Sequence, residues 1–208
     1  MKRFNFKDQI VFENENYIAI NKPAGVSSLH ERLGVANSVI EQAKNYNEHL
    51  QLCHRLDKET SGVLLLSKHA AAYSHAAVSF EKRRVTKTYH AVADGAHKFE
   101  HFEVNLPLIT TRSGRSAVSK QKGKPCTTFF TTIQNFKHHS LIACEPVTGR
   151  QHQIRIHLAS QNAPITADGI YGGKMPYLSR FKKNFTLQYL FIIWADYFLP
   201  LFYLWKRK

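Results

Sequence analysis

The residues His54-Arg55-Leu56-Asp57-Lys58-Glu59-Thr60-Ser61-Gly62 set one carboxylate beside a histidine and an arginine and close with a Thr-Ser-Gly turn. An ionised aspartate can attack an electrophilic carbon or take a proton, and the flanking side chains can hold a substrate. Val63-Leu64-Leu65-Leu66 follows as a short apolar run bounded by turn residues, which predicts a buried strand. Asp57 then stands in a loop at the mouth of a core strand, where a rigid scaffold can hold it. A plainer role is also open at this point: an aspartate that ties down its turn through the backbone of Thr60 and Ser61. A second cluster is Thr148-Gly149-Arg150-Gln151-His152-Gln153-Ile154-Arg155-Ile156-His157. Thr148 and Gln151 have the spacing of a capping box, so a helix is expected to start there. His152, Arg155, Ile156 and Ala159 would share one of its faces. An arginine beside an apolar isoleucine calls for a carboxylate partner. The histidines lack an acidic ligand at a spacing that would suit a metal.

The elements that must hold these residues can be read from turn chemistry and periodicity. Ile10-Val11-Phe12 and Tyr17-Ile18-Ala19-Ile20 read as strands joined by a turn at Glu13-Asn14-Glu15-Asn16, and Asn21-Lys22-Pro23-Ala24-Gly25 breaks the second. Val39, Ile40 and Ala43 have helical spacing. Ser67 is expected to cap a helix from Lys68 to about Lys82, ending in the cationic run Lys82-Arg83-Arg84. Val85 to Val92 alternates as a strand, with Lys87, Tyr89 and Ala91 on one face. Residues 95–125 are rich in glycine and lysine. Arg112, Arg115, Lys120, Lys122 and Lys124 suit either a hairpin along a nucleic-acid backbone or a solvated loop. Thr127 to Ile133 and Leu141 to Cys144 read as two further strands.

The chain has 208 residues, with 29 Lys and Arg against 15 Asp and Glu, for a formal charge of +14. That excess suits a polyanion, and RNA or an acidic membrane surface both qualify. Cys53, Cys126 and Cys144 have neither metal-ligand spacing nor a C-x-x-C, so no zinc site or disulfide framework is expected. The start of the chain lacks the apolar core of a signal peptide, so the expected location is cytoplasmic.

His54-Arg55-Leu56-Asp57 followed by Thr60-Ser61-Gly62 resembles the catalytic motif of the RluA-type RNA pseudouridine synthases. Three more segments resemble that family in the right order: the hairpin with Asn21-Lys22-Pro23-Ala24-Gly25, the strand with Lys87-Thr88-Tyr89, and Thr148 to His157. Pro164-Ile165-Thr166-Ala167-Asp168-Gly169-Ile170-Tyr171-Gly172 is similar to a further family segment but has Ala167 where glycine is usual. The resemblance covers about residues 9 to 172. It implies an α+β fold: a mixed, largely antiparallel bent sheet with flanking helices and loops, pseudouridine synthase-like. It also implies isomerisation of specific uridines in structured rRNA or tRNA by a monomeric protein, with no cofactor, no metal and no membrane partner unless the C-terminal tail inserts. Asp57, Tyr89 and Arg155 are then the expected catalytic residues, with Arg155 partnering Asp57 and favouring its ionised form. Arg55, His54, Arg150, His152 and Ile154 are the expected RNA contacts. Arg55 would fill the stack vacated by a flipped base, and Tyr89 would stack on the uracil.

The resemblance assigns residues 1–184 to a catalytic domain, with no room upstream for the small RNA-binding domain that some members carry. Residues 185–208 depart from the family: a mostly apolar and aromatic tail with Asp196 and Pro200 inside it and basic residues at both ends. It is long enough to span a bilayer, although Asp196 is costly there. Packing as an atypical strand pair, membrane anchoring and an altered reading frame are the three expectations, and the third is favoured. A catalytically impaired RNA-binding protein and a membrane-attached variant are the corresponding alternative functions.

Overall fold

The computed structural model describes residues 4–30, 37–111 and 114–173, and the backbone of residues 190–195. The chain forms two compact units, residues 1–86 with 188–208, and residues 87–187.

In the first unit, β1 (Ile10–Glu13), β2 (Tyr17–Lys22), β3 (Gln51–Leu52) and β4 (Gly62–Ser67) form an antiparallel sheet in the order β1-β2-β4-β3. The turn between β1 and β2 works as its asparagine suggests: Asn14 Oδ1 accepts from the N–H groups of Asn16 and Tyr17, at 2.9 and 2.8 Å. Ile18 pairs with Leu66 and Ile20 with Leu64, and all four are fully buried. Removing one such side chain from water is worth roughly 1.5–3 kcal/mol, so this pairing strongly specifies the register of the strand that follows Asp57. Helix α1 (Val39–Tyr46) is capped by Ser38, whose hydroxyl accepts from Glu41 N–H, and buries the expected Val39, Ile40 and Ala43. Helix α2 (Ala70–Glu81) lays Ala72 and Ala76 against Tyr17, Ala19 and Leu65.

The start of α2 differs from the sequence expectation. Its cap is His69, whose ring nitrogen accepts from Ala72 N–H at 3.3 Å. Ser67 is instead the last, buried residue of β4 and cannot serve as a cap.

In the second unit, β5 (Val85–Asp94) pairs with β10 (His139–Pro146), β10 with β9 (Thr127–Asn135), and β9 with β6 (Phe102–Asn105), all antiparallel. Strict alternation along β10 buries Ser140, Ile142, Cys144 and Pro146. A separate hairpin, β7 (Leu108–Thr110) with β8 (Ser116–Val118), lies within the basic stretch. Arg115, Lys120, Lys122 and Lys124 are exposed, and Arg112 lies outside the described residues.

Helix α3 (Gln153–Ser160) also starts later than the capping-box spacing suggests. Its N-cap is His152, in the left-handed region at φ 56°, with no side-chain cap bond. Thr148 hydroxyl and Arg150 N–H both donate to Gln153 Oε1, at 2.8 and 3.0 Å, so the segment before α3 is closed by Gln153 and not by Gln151.

Outside these elements, Leu190–Ala195 is a strand, β11, and the rest of the 185–208 tail lies outside the described residues. Among the described residues no helix is long and apolar enough to cross a membrane.

Candidate active site

The Asp57 loop belongs to the first unit. Asp57 is half-buried between buried Leu56 and exposed Lys58, and Thr60 N–H donates to the Asp57 main-chain carbonyl at 3.0 Å to close the turn. Gly62 then enters β4 at φ 126°, a conformation open to glycine and few others. Arg55 is exposed and able to reach a ligand. His54 has a structural duty: Nε2 accepts from Leu65 N–H at 3.1 Å, and its ring lies 5.0 Å from that of Phe80.

Lys22 explains why the loop keeps its shape. It is fully buried, and its ammonium donates to the carbonyls of Pro23 (3.1 Å), Val26 (2.8 Å) and Lys58 (3.1 Å). Burial pushes it down to about 8, while the negative charges of Glu59 and Asp57 act the other way. Gly25, at φ 82°, adds a backbone donor to Lys58 O at 2.8 Å.

The second unit carries the remaining predicted residues. Tyr89 is half-buried on β5 opposite buried Cys144, on the strand face it shares with Lys87 and Ala91, as alternation requires. Lys87 Nζ donates to Thr148 O at 3.3 Å, which links β5 to the segment before α3.

Arg155 makes a two-point pair with Asp168: Nε to Oδ2 at 2.7 Å and Nη2 to Oδ1 at 2.8 Å. The same guanidinium carbon lies 4.9 Å from the Tyr171 ring centroid. Burial alone would raise the Asp168 carboxyl. Hydrogen bonding and charge from Arg155, with amide donors from Ile170 and Tyr171, outweigh it and hold the group below the usual carboxylate range. Tyr171 hydroxyl lies 2.7 Å from His152 Nδ1, accepts from Ser116 N–H at 3.1 Å and reaches Ser116 O at 3.2 Å. The structure thus gathers Arg155 and His152 around Tyr171 and ties the β7–β8 hairpin to the start of α3. Arg150 stays exposed and Ile154 half-buried.

A buried polar group anchors the other side of α3. His157 Nδ1 lies 2.9 Å from Thr128 hydroxyl, and Nε2 lies 3.1 Å from Leu106 O. The carbonyl can only accept, so Nε2 carries the proton and Nδ1 accepts from Thr128. Burial lowers the histidine, with the bond to Leu106 opposing it. Gln153 Nε2 donates to Thr127 O and Thr128 Oγ1, both at 2.9 Å. Among the described residues no group of three or more His, Cys, Asp and Glu is arranged to hold a metal ion.

Asp168, Tyr171, Lys22 and Gln153 have clear duties here that spacing did not reveal. The available signal was their place inside segments already similar to the family.

The family model described as RNA pseudouridylate synthase matches residues 16–160. The chain is 32% identical over 210 residues to Ribosomal large subunit pseudouridine synthase C of Buchnera aphidicola subsp. Baizongia pistaciae, covering 98% of this chain and 65% of that protein. That alignment runs into the segment after residue 184, where the motifs read from the sequence stop. Ribosomal large subunit pseudouridine synthase C of Vibrio vulnificus is 33% identical over 171 residues, covering 81% of this chain and 54% of that protein. The chain thus spans about half to two thirds of the length of these curated relatives. The solved structure of Human RNA Pseudouridylate Synthase Domain Containing 4 shares the fold, with a TM-score of 0.70, 22% identity, and coverage of 95% of this chain and 93% of that one. The matched span, the identity to curated relatives and the shared α+β architecture agree, and the chain belongs to the RNA pseudouridylate synthase family.

Proposed function

We propose that this protein converts specific uridines of structured RNA to pseudouridine, with Asp57 as its essential carboxylate. The observation that carries the reading is the Asp57 loop: a family motif, held rigidly at the mouth of β4, with the acid only half-buried. Ribosomal RNA is the first substrate to test, because the curated relatives are named as ribosomal large subunit synthases. A tRNA is the second.

The chemistry is an isomerisation. The C1′–N1 bond breaks, the uracil turns, a C1′–C5 bond forms, and the C5 proton leaves while N1 gains one. The atoms balance without a redox step or a group carrier. A base inside a stacked helix must first be extruded, and exposed Arg55 has the planar, cationic group to fill the gap. Asp57 attacks C1′ or takes a ribose proton. Tyr89 stacks on the uracil and receives the C5 proton. Arg155, held by Asp168, belongs to the same proposed set of site residues. His54, Arg150, His152 and Ile154 support the RNA, joined by the exposed cations of residues 115–124. A monomeric, cytoplasmic protein is part of the same proposal.

The test is release of tritium from RNA labelled at uridine C5, prepared from source cells lacking this protein, together with a pseudouridine map of the product. The wild type should release tritium. Asp57→Asn should release none while still shifting RNA on a gel. Turnover by Asp57→Asn would refute the role of Asp57. RNA binding by the wild type without release would favour a binding module over an enzyme.

A further inference from the structure

We infer that Ser28 is a positioning residue for Asp57: its hydroxyl holds the peptide groups of Leu56 and so fixes the direction in which the acid leaves the backbone. The inference rests on the proposed role of Asp57 and extends it to a residue outside the motifs that match the family.

Ser28 is 2% exposed. Its Oγ donates to Leu56 O at 2.8 Å and accepts from Leu56 N–H at 3.2 Å. One hydroxyl therefore serves both main-chain groups of the residue just before Asp57. Leu56 is itself buried, so without Ser28 those two groups would face a place that water does not readily reach. On the other side of Asp57, the carbonyl of Lys58 is held by Lys22 Nζ and Gly25 N–H. The acid is thus clamped before and after, and both clamps come from residues 22–28.

Ser28 is not free to drift with the loop it holds. Its own carbonyl accepts from Ile40 N–H at 3.2 Å, and Ser27 O accepts from Val39 N–H at 2.9 Å. Both donors sit in the first turn of α1, whose N-terminal N–H groups need such acceptors. The Asp57 backbone is therefore referenced through Ser28 to a helix with a buried face. This matters for rate because a displacement of about 1 Å at a reacting group can cost on the order of 100-fold. Ser28 touches no substrate in this account; it acts through Leu56.

The experiment measures the single-turnover rate of tritium release at saturating enzyme, the RNA affinity by filter binding, and Tm. It compares wild type, Ser28→Cys, Ser28→Ala and Ser140→Ala. Ser140 is the matched control: a fully buried hydroxyl that accepts from His97 N–H at 2.8 Å and donates toward Gly95 O at 2.9 Å in the other unit. Ser28→Ala should slow release by about tenfold or more with affinity within about twofold, as expected for a misplaced reacting group. A thiol is the weaker donor and acceptor, so Ser28→Cys should fall between wild type and alanine, and it carries the test if the alanine variant does not fold. Ser140→Ala should lose Tm and keep its rate. The inference is overturned if both Ser28 variants keep the wild-type rate, or if the rate follows lost Tm equally at Ser28 and Ser140. No release by the wild type would remove the isomerase reading itself, an outcome separate from either.

Discussion

Arg155 and Asp168 meet side to side through two short hydrogen bonds, in a pair where the Asp168 side chain is 1% exposed and the Arg155 side chain 16%. The sequence leads to Asp57 as the expected carboxylate partner of Arg155; the two-point partner in the structure is Asp168, from the turn after α3. The pair anchors the turn that carries Tyr171.

Removing the acid should be costly. Asp168→Ala is expected to destabilise the protein by about 3–5 kcal/mol at neutral pH, because two guanidinium donors lose their acceptor in a buried setting. The native carboxyl lies below its unfolded value of about 3.9. Its contribution is therefore complete above that value and is lost as pH falls through the lower native one. Urea unfolding of the two proteins should give a constant difference from pH 5 to 8 that narrows below pH 4. A difference that persists unchanged at pH 2 would refute the ionic part of the account.

Ala167 stands where the family usually has glycine, and it sits at φ 65°. The left-handed region costs an L-residue roughly 1–2 kcal/mol, and glycine avoids that cost. Ala167→Gly is expected to stabilise the protein by about 1 kcal/mol, raising Tm by about 2–4 °C. The gain is reduced by the larger unfolded-state entropy of glycine. A lower Tm would mean that the alanine methyl contributes packing that outweighs its backbone.

Part of this arrangement is legible in the sequence. Local chemistry was legible where one residue decides the outcome. Asn14 closes its hairpin, and Val39, Ile40 and Ala43 turn one face of α1 inward. Tyr89 falls on the face that alternation assigns it. Reading failed where two uses compete for one residue. Ser67 has the chemistry of a cap, but the strand pairing of Ser67 with Tyr17 and Gln51 claims it first. Thr148 has the chemistry of a capping box, but its hydroxyl goes to Gln153, whose amide also reaches buried Thr128. The Arg155–Asp168 pair and the Ser28–Leu56 bridge join residues 13 and 28 positions apart, and no local pattern encodes such contacts.

Lys22 gives a pH dependence of opposite origin to that of Asp168. Its native value of about 8 lies below 10.5, so burial opposes the charged form. Below about pH 8 both states are protonated and the native state bears the full cost of the buried charge. Between 8 and 10.5 the native protein sheds a proton that the unfolded chain keeps, so this residue adds stability as pH rises. Relative to Lys22→Met, the wild type should gain stability across that window, and its Nζ resonance should titrate near 8. A midpoint near 10.5 would show that the three carbonyls and the nearby acids offset the burial. The gain has a local limit, since a neutral amine has two protons for the three carbonyls of Pro23, Val26 and Lys58.

Tyr89 offers a way to separate packing from chemistry. It sits between Lys87 and Ala91 on one face of β5, and a tyrosine in such a place can serve the core alone. Tyr89→Phe keeps the ring and removes only the hydroxyl. If the hydroxyl receives the C5 proton, glycosidic cleavage and reattachment should proceed while proton loss slows, so tritium release should fall about 100-fold or more with RNA affinity unchanged. Tyr89→Leu should weaken both binding and rate, because the stacking surface goes as well; stacking of this kind is worth about 1–3 kcal/mol per base. The pair of variants is informative because each isolates one property. If Tyr89→Phe releases tritium at the wild-type rate while Tyr89→Leu does not, the ring is a platform and the proton leaves to another group. If both variants match the wild type, Tyr89 is a packing residue of β5 and has no part in the isomerisation.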